Sequence, residues 1–173
     1  MAMVERHMAT RYGHDLVDHH TYVIAGDGCL MEGISHEAAS MAGHLKLGRL
    51  IVLFDDNSIS IDGSTDLAVS DDITARFDAY GWQVLTVDGH DMDAVSEAIS
   101  TAKVDAGRPS LLRCKTVIGF GAPTKAGTSG VHGAPLGSEE ISGARVALGW
   151  DHAPFEIPAE IVTRWRNVGR QGS

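Results

Sequence analysis

Residues 21–57 read TYVIAGDGCLMEGISHEAASMAGHLKLGRLIVLFDDN, and this stretch decides the fold. It opens with Thr21-Tyr22-Val23-Ile24-Ala25, a short and nearly all-apolar run that stops at Gly26-Asp27-Gly28. A second run, Leu50-Ile51-Val52-Leu53-Phe54, stops at Asp55-Asp56-Asn57. Neither run alternates apolar with polar residues, so each is expected as a strand covered on both faces, as in parallel sheets with helices on either side. Between them, residues 33–47 repeat apolar positions at three and four, which predicts the connecting helix. The expected fold class is α/β, a mostly parallel sheet flanked by helices on both faces.

Outward from this unit the alternation continues. Asp71-Asp72 opens a predicted helix through Tyr80, with the acidic pair where a helix dipole favours negative charge. Residues 82–87 read as a third strand, 91–106 as a helix stopped by Gly107, and 109–117 (PSLLRCKTV) as a fourth strand. A glycine-rich loop over 119–137 leads to a last helix over 138–148, with Ser138 expected as its N-cap. On the other side, residues 1–11 carry Met1, Val4 and Met8 at helical spacing, an apolar stripe expected to pack from the first residue onward. The stretch after Trp150 looks less regular, and residues 170–173 are expected to fray. Residues 1–150 are therefore expected as one domain, in part, and 151–173 as an extension toward a further one.

The whole chain has 173 residues, 43% hydrophobic and 21% charged, which suits one compact domain rather than a disordered segment. Its formal charge is −9 with no basic block, so the footprint of a nucleic-acid binder is absent. No apolar run reaches the roughly 18 residues of a membrane span, and the polar start has no signal-peptide pattern. Cys29 and Cys114 sit in apolar sequence and are expected as buried, reduced thiols, which points to the cytoplasm.

In such sheets ligands bind beyond the carboxyl ends of the strands. Asp27 and Asn57 stand at two such ends, one strand-helix-strand unit apart. A carboxylate and a carboxamide oxygen are hard ligands suited to magnesium, which completes its octahedron with water and phosphate oxygens. Gly26 and Gly28 flank Asp27 and would let backbone amides reach a phosphate with no side chain between. Gly-Asp-Gly alone is usually a plain turn; the asparagine at the next strand end makes it a candidate site.

Gly26-Asp27-Gly28 followed at this interval by Asn57 resembles the thiamine diphosphate signature. The surrounding GDGCLMEGISHEAASMAGHLKLGRLIVLFDDNSISIDG is similar to the transketolase form of it, as are LLRCKTVIGFGAPTKAGT, HGAPLG, ALGW and PFEIP further on. The likeness covers nearly the whole chain. It implies that Asp27 and Asn57 are side-chain ligands of magnesium, with calcium or manganese as substitutes, and that the Ile59 carbonyl is a third ligand. Gly26 and Gly28 would border the diphosphate, Gly28 donating its amide; Asn57 would also touch it, and Ile61 would pack against the thiazolium ring. His132 would contact the diphosphate and reach toward substrate.

The same resemblance gives Glu32 and Glu37 to a carboxylate network between the two cofactors of a homodimer. On an ideal helix their spacing sets them about 140° apart, and carboxylates brought close could share protons. The implied activity moves a two-carbon ketol unit from a ketose phosphate to an aldose phosphate, a step of the pentose phosphate pathway, with sugar phosphates as partners and no nucleic acid or membrane. The family's groups that activate the aminopyrimidine and hold the substrate phosphate match nothing here, so a fragment inactive alone is expected. Other readings stay open: dihydroxyacetone synthase or another thiamine diphosphate enzyme of the superfamily, or a non-catalytic magnesium-diphosphate module.

The remaining histidines suggest no ligand set, since His36 and His44 lie too far apart for the usual i, i+4 metal pair. Asp88-Gly89-His90-Asp91 reads as a helix-capping turn and Lys125 as an exposed loop lysine.

Overall fold

A computed structural model describes residues 1–171. Four strands, β1 (Thr21–Gly26), β2 (Leu50–Asp56), β3 (Gln83–Asp88) and β4 (Ser110–Lys115), form one all-parallel sheet in the order β1-β2-β4-β3. The helices are α1 (Ala2–Tyr12), α2 (Asp27–Met31), α3 (Gly33–His44), α4 (Ile73–Ala79), α5 (Met92–Val104), α6 (Ser138–Ala147) and α7 (Ala159–Gln171). The expected α/β class holds.

Side chains alternate across a strand, so β2, β3 and β4 each feed two cores. Val52, Phe54 and Leu111 meet Leu30, Ala39, Ala42, Phe77 and Trp82 on one face. Ile51, Leu112 and Cys114 meet Ala98 and Ala102 of α5 on the other. Trp82 is only 2% exposed; its indole N–H donates to the Ala39 carbonyl at 2.8 Å and its ring stands edge-on to Phe77. Gly43 lets α3 approach this corner, because a Cβ there would lie 1.9 Å from the Tyr80 carbonyl oxygen.

Several expectations change. Cover on both faces holds for β2 and β4 but not for β1, an edge strand whose Tyr22, Val23 and Ile24 are exposed, Ile24 at 81%. The buried side of α1 is Ala2, Glu5 and Ala9, while Met1, Val4 and Met8 face outward. What docks α1 is small residues and an ion pair of Glu5 with Arg49 at 3.4 Å, a combination that hydrophobic periodicity does not register. Cys29 is exposed, and only Cys114 is buried. The N-cap of α6 is Gly137, at φ 90, rather than Ser138. Residues 45–47 fall outside α3, and α2 had no periodic signal because it is five residues long.

The region after Trp150 is more ordered than expected: α7 runs 13 residues, its Trp165 and Val168 exposed among arginines. Of the predicted fraying end, Arg170 and Gln171 are helical, and residues 172–173 lie outside the described residues. Among the described residues no helix is long and apolar enough to cross a membrane.

Candidate functional site

β1 and β2 pair in register from Thr21 opposite Leu50 to Gly26 opposite Asp55, so the chain leaves both strands at one level. Asp27 is the first residue of α2, and Asn57 is the first residue after β2. The Asp27 carboxylate accepts the backbone N–H of Asn57 at 3.3 Å. It is 7% exposed. Burial pushes its pKa up; the Asn57 and Ser58 amides oppose the rise, and the charge of Asp56 adds to it.

Asp56 resolves the same conflict differently. Burial pushes it up, but hydrogen bonds from Lys115 and Arg113 outweigh that and hold it below the usual carboxylate range. Lys115 Nζ sits 2.7 Å from Asp56 Oδ2, and Arg113 Nε bonds the same oxygen. These contacts follow from register: Lys115 lies opposite Asp56, and Arg113 is two residues earlier on the same face of β4. Asp56 is therefore paired with cations of the protein itself, whereas Asp27, beside it, has no cationic partner among the described residues. A cavity of about 320 Å³ lined by Asp27, Asp56, Thr65, Asp66 and Arg113 opens there.

The Asn57 carboxamide is fixed at both ends. Its Oδ1 accepts the Ile59 N–H at 3.0 Å, and its Nδ2 donates to Asp55 Oδ2 at 3.3 Å. A carbonyl oxygen has two lone pairs, so one remains on Oδ1 for a further partner. Ser58 adopts φ 60, in the left-handed region, and turns the chain out of the strand. The chain then folds into a small hairpin through Ser60 N–H to the Gly63 carbonyl (2.7 Å) and Thr65 N–H to the Ser58 carbonyl (3.0 Å). That pattern leaves the Ile59 carbonyl with no donor among the described residues. Ile61, near the hairpin tip, is 74% exposed.

These residues fit a divalent cation carrying a diphosphate: one buried carboxylate without a cation, one carboxamide oxygen and one free carbonyl, all oxygen donors. They also fit its anionic load. A Cβ at Gly26 or Gly28 would meet nothing within 4 Å, and the Gly28 amide lies in a first helical turn, where amides lack intrahelical partners.

Among the described residues, no bond draws the remaining candidates into this cluster. His132 is exposed and follows a 3-10 turn over Ser129–Val131, its N–H donating to the Ser129 carbonyl at 3.0 Å. Glu32 and Glu37 are exposed. Among the described residues neither carboxylate is ion-paired or hydrogen-bonded, and no bond joins the two.

Sequence reading missed what holds the loop carrying His132. Glu140 is 9% exposed and accepts the Thr124 hydroxyl and the amides of Thr124 (3.1 Å) and Lys125 (3.3 Å). The Thr124 hydroxyl, with those amides, holds its carboxyl below the ordinary range. Lys125 is not a free surface lysine but donates to the Leu136 carbonyl at 2.8 Å. The Asp88–Asp91 turn caps α5 as expected and also grips this loop: His90 Nε2 accepts the Val117 N–H at 2.9 Å and its ring stacks on Phe120. The available signal for the Asp56 clamp was Arg113 and Lys115, two cations at strand spacing in an otherwise apolar run.

The chain matches, over residues 1–173, the family described as transketolase, thiamine diphosphate binding domain. A transketolase of Cereibacter sphaeroides is 58% identical over 173 residues, which is 100% of this chain and 26% of that protein. Transketolase 1 of Vibrio cholerae is 59% identical over 169 residues, 95% of this chain and 25% of that one. A Pichia stipitis transketolase solved in complex with sedoheptulose-7-phosphate superposes with TM-score 0.90 at 44% identity, covering 96% of this chain and 25% of that one. The chain thus spans about a quarter of the length of the relatives it matches.

Proposed function

The chain belongs to the transketolase family, within its thiamine diphosphate binding domain, and we propose that it holds the diphosphate end of that cofactor through a magnesium ion. The observation carrying this reading is the Asp27 carboxylate, buried and without a cation, bonded to the Asn57 amide beside a free Ile59 carbonyl.

In this reading Asp27, Asn57 Oδ1 and the Ile59 carbonyl ligate the metal, whose charge lets an acidic protein accept a diphosphate. Gly28 donates its amide to the phosphate, the bare Gly26 keeps that approach open, and Asn57 borders it. Ile61 packs its exposed side chain against the thiazolium ring. Thiamine diphosphate, when bound, supplies the nucleophilic carbon and electron sink for carbon–carbon bond cleavage. His132 hydrogen-bonds the diphosphate end and presents a donor to substrate oxygens. Glu32 and Glu37 face the partner subunit of a homodimer, where their unpaired carboxylates find company.

The parent activity is ketol transfer between sugar phosphates in the cytoplasm, a pentose phosphate pathway step. Residues 1–150 serve as the cofactor-holding part and 151–173 as an extension from it. Thermal melting tests the binding mode: magnesium with thiamine diphosphate or with inorganic pyrophosphate should raise the midpoint, and thiamine lacking phosphate should not. Stabilisation by thiamine alone, or by pyrophosphate without metal, would overturn it.

A further inference from the structure

A carboxamide at a metal site has a failure mode that a carboxylate lacks. Rotated by half a turn, it presents an NH₂ group, which cannot ligate a cation. Something must therefore hold Asn57 with its oxygen outward.

Two neighbours do so independently. The Ile59 N–H can only donate, and it meets Oδ1 at 3.0 Å. The Asp55 carboxylate, when ionised, can only accept, and it meets Nδ2 at 3.3 Å. Both contacts select the same orientation. Asp55 is itself braced: the Thr116 hydroxyl donates to its other oxygen, Oδ1.

Thr116 sits just past β4 and is seated by its own contacts. Its N–H donates to the Asp56 carbonyl at 3.1 Å. Its methyl lies only 2.4 Å from where a Cβ on Gly89 would stand, so the β3–α5 turn closes on it because residue 89 is glycine. A chain of contacts runs from Gly89 through Thr116 and Asp55 to the amide of Asn57, and three strand ends take part.

We propose that Asp55, held by Thr116, is a positioning residue that fixes the Asn57 carboxamide with its oxygen toward the metal. This rests on Asn57 being a metal ligand. Outer partners of this kind, when removed, typically weaken metal affinity on the order of 10–100-fold.

The test is calorimetric titration of magnesium into the chain at fixed thiamine diphosphate, for the unsubstituted protein, Asp55→Ala, Thr116→Val and Thr116→Ser. Magnesium affinity should fall by about 10-fold or more in Asp55→Ala and Thr116→Val, and return in Thr116→Ser, which restores the hydroxyl. Metal-free melting of Thr116→Val and Thr116→Ser should match, separating orientation from folding. Should Asp55→Ala not fold, the two threonine variants carry the test alone. Unsubstituted protein that binds magnesium no better than Thr116→Val overturns the positioning role and leaves the metal site intact, as does a Thr116→Val loss that serine fails to restore. No magnesium-dependent binding in the unsubstituted chain removes the metal site itself, and this role with it.

Discussion

Asp27 accepts the backbone N–H of Asn57 at 3.3 Å although thirty positions of sequence separate them. The bond ties the first residue after β1 to the first residue after β2, which the parallel pairing of the two strands brings together. It also leaves the carboxylate buried with amides for company, which sets how the metal-free chain responds to pH.

Burial favours the neutral form of Asp27, so the folded chain holds that proton more tightly than the unfolded chain does. From the ordinary value of 3.8 up through the raised folded value, the unfolded state has lost a proton that the folded state keeps, and stability falls as pH rises. Above that window the penalty is complete. Asp27→Asn should therefore raise the metal-free melting midpoint at neutral pH and flatten the decline. A lowered midpoint would mean that Asp27 is held by charges other than those described.

Asp56 has the opposite sign. Its folded value is depressed, so its pairing contributes stability above 3.8 that is lost as pH falls through the folded value. Arg113 is 30% exposed, which places its loss at the lower end for charged hydrogen bonds, and Arg113→Ala should cost about 2 kcal/mol at neutral pH. Urea unfolding should show the gap from the unsubstituted chain closing in acid.

The catalytic candidate His132 depends on a loop gripped at its base by His90. Removing the ring that accepts from Val117 and stacks on Phe120 should loosen residues 117–131 without touching the sheet. Hydrogen exchange on His90→Ala should show faster exchange there and unchanged protection in β2 and β4; uniform acceleration would instead indicate a general loss of stability.

Much of this was legible in the sequence, and the reasons differ by element. β2 is buried on both faces, and its unbroken apolar run over residues 50–54 says so; β4 reads from a shorter apolar run interrupted by Arg113 and Lys115. The strand ends carrying Asp27 and Asn57 follow directly, since a parallel crossover places both at one edge. α7 was legible but passed over: Ile161, Val162, Trp165 and Val168 recur at helical spacing, although the helix buries none of them. The side on which α1 docks was misread because an ion pair and alanines, rather than methionines, hold it. The Asp56 clamp needs register between strands separated by more than fifty residues, which no local pattern encodes.

Trp82 unites α3, α4 and the sheet, filling a corner and satisfying its own indole N–H on the Ala39 carbonyl. Trp82→Ala should cost roughly 3–5 kcal/mol by denaturant unfolding. Gly43→Ala, whose new methyl would collide with the Tyr80 carbonyl, should also destabilise the chain.

The central claim is that one buried carboxylate recruits a divalent ion to carry the diphosphate. Calorimetric titration of thiamine diphosphate into the unsubstituted chain and into Asp27→Ala, each with and without magnesium, tests it most directly. Binding should require magnesium in the first protein and vanish in the second, because a methyl group offers no ligand. Equal, magnesium-dependent binding in both proteins would contradict the account.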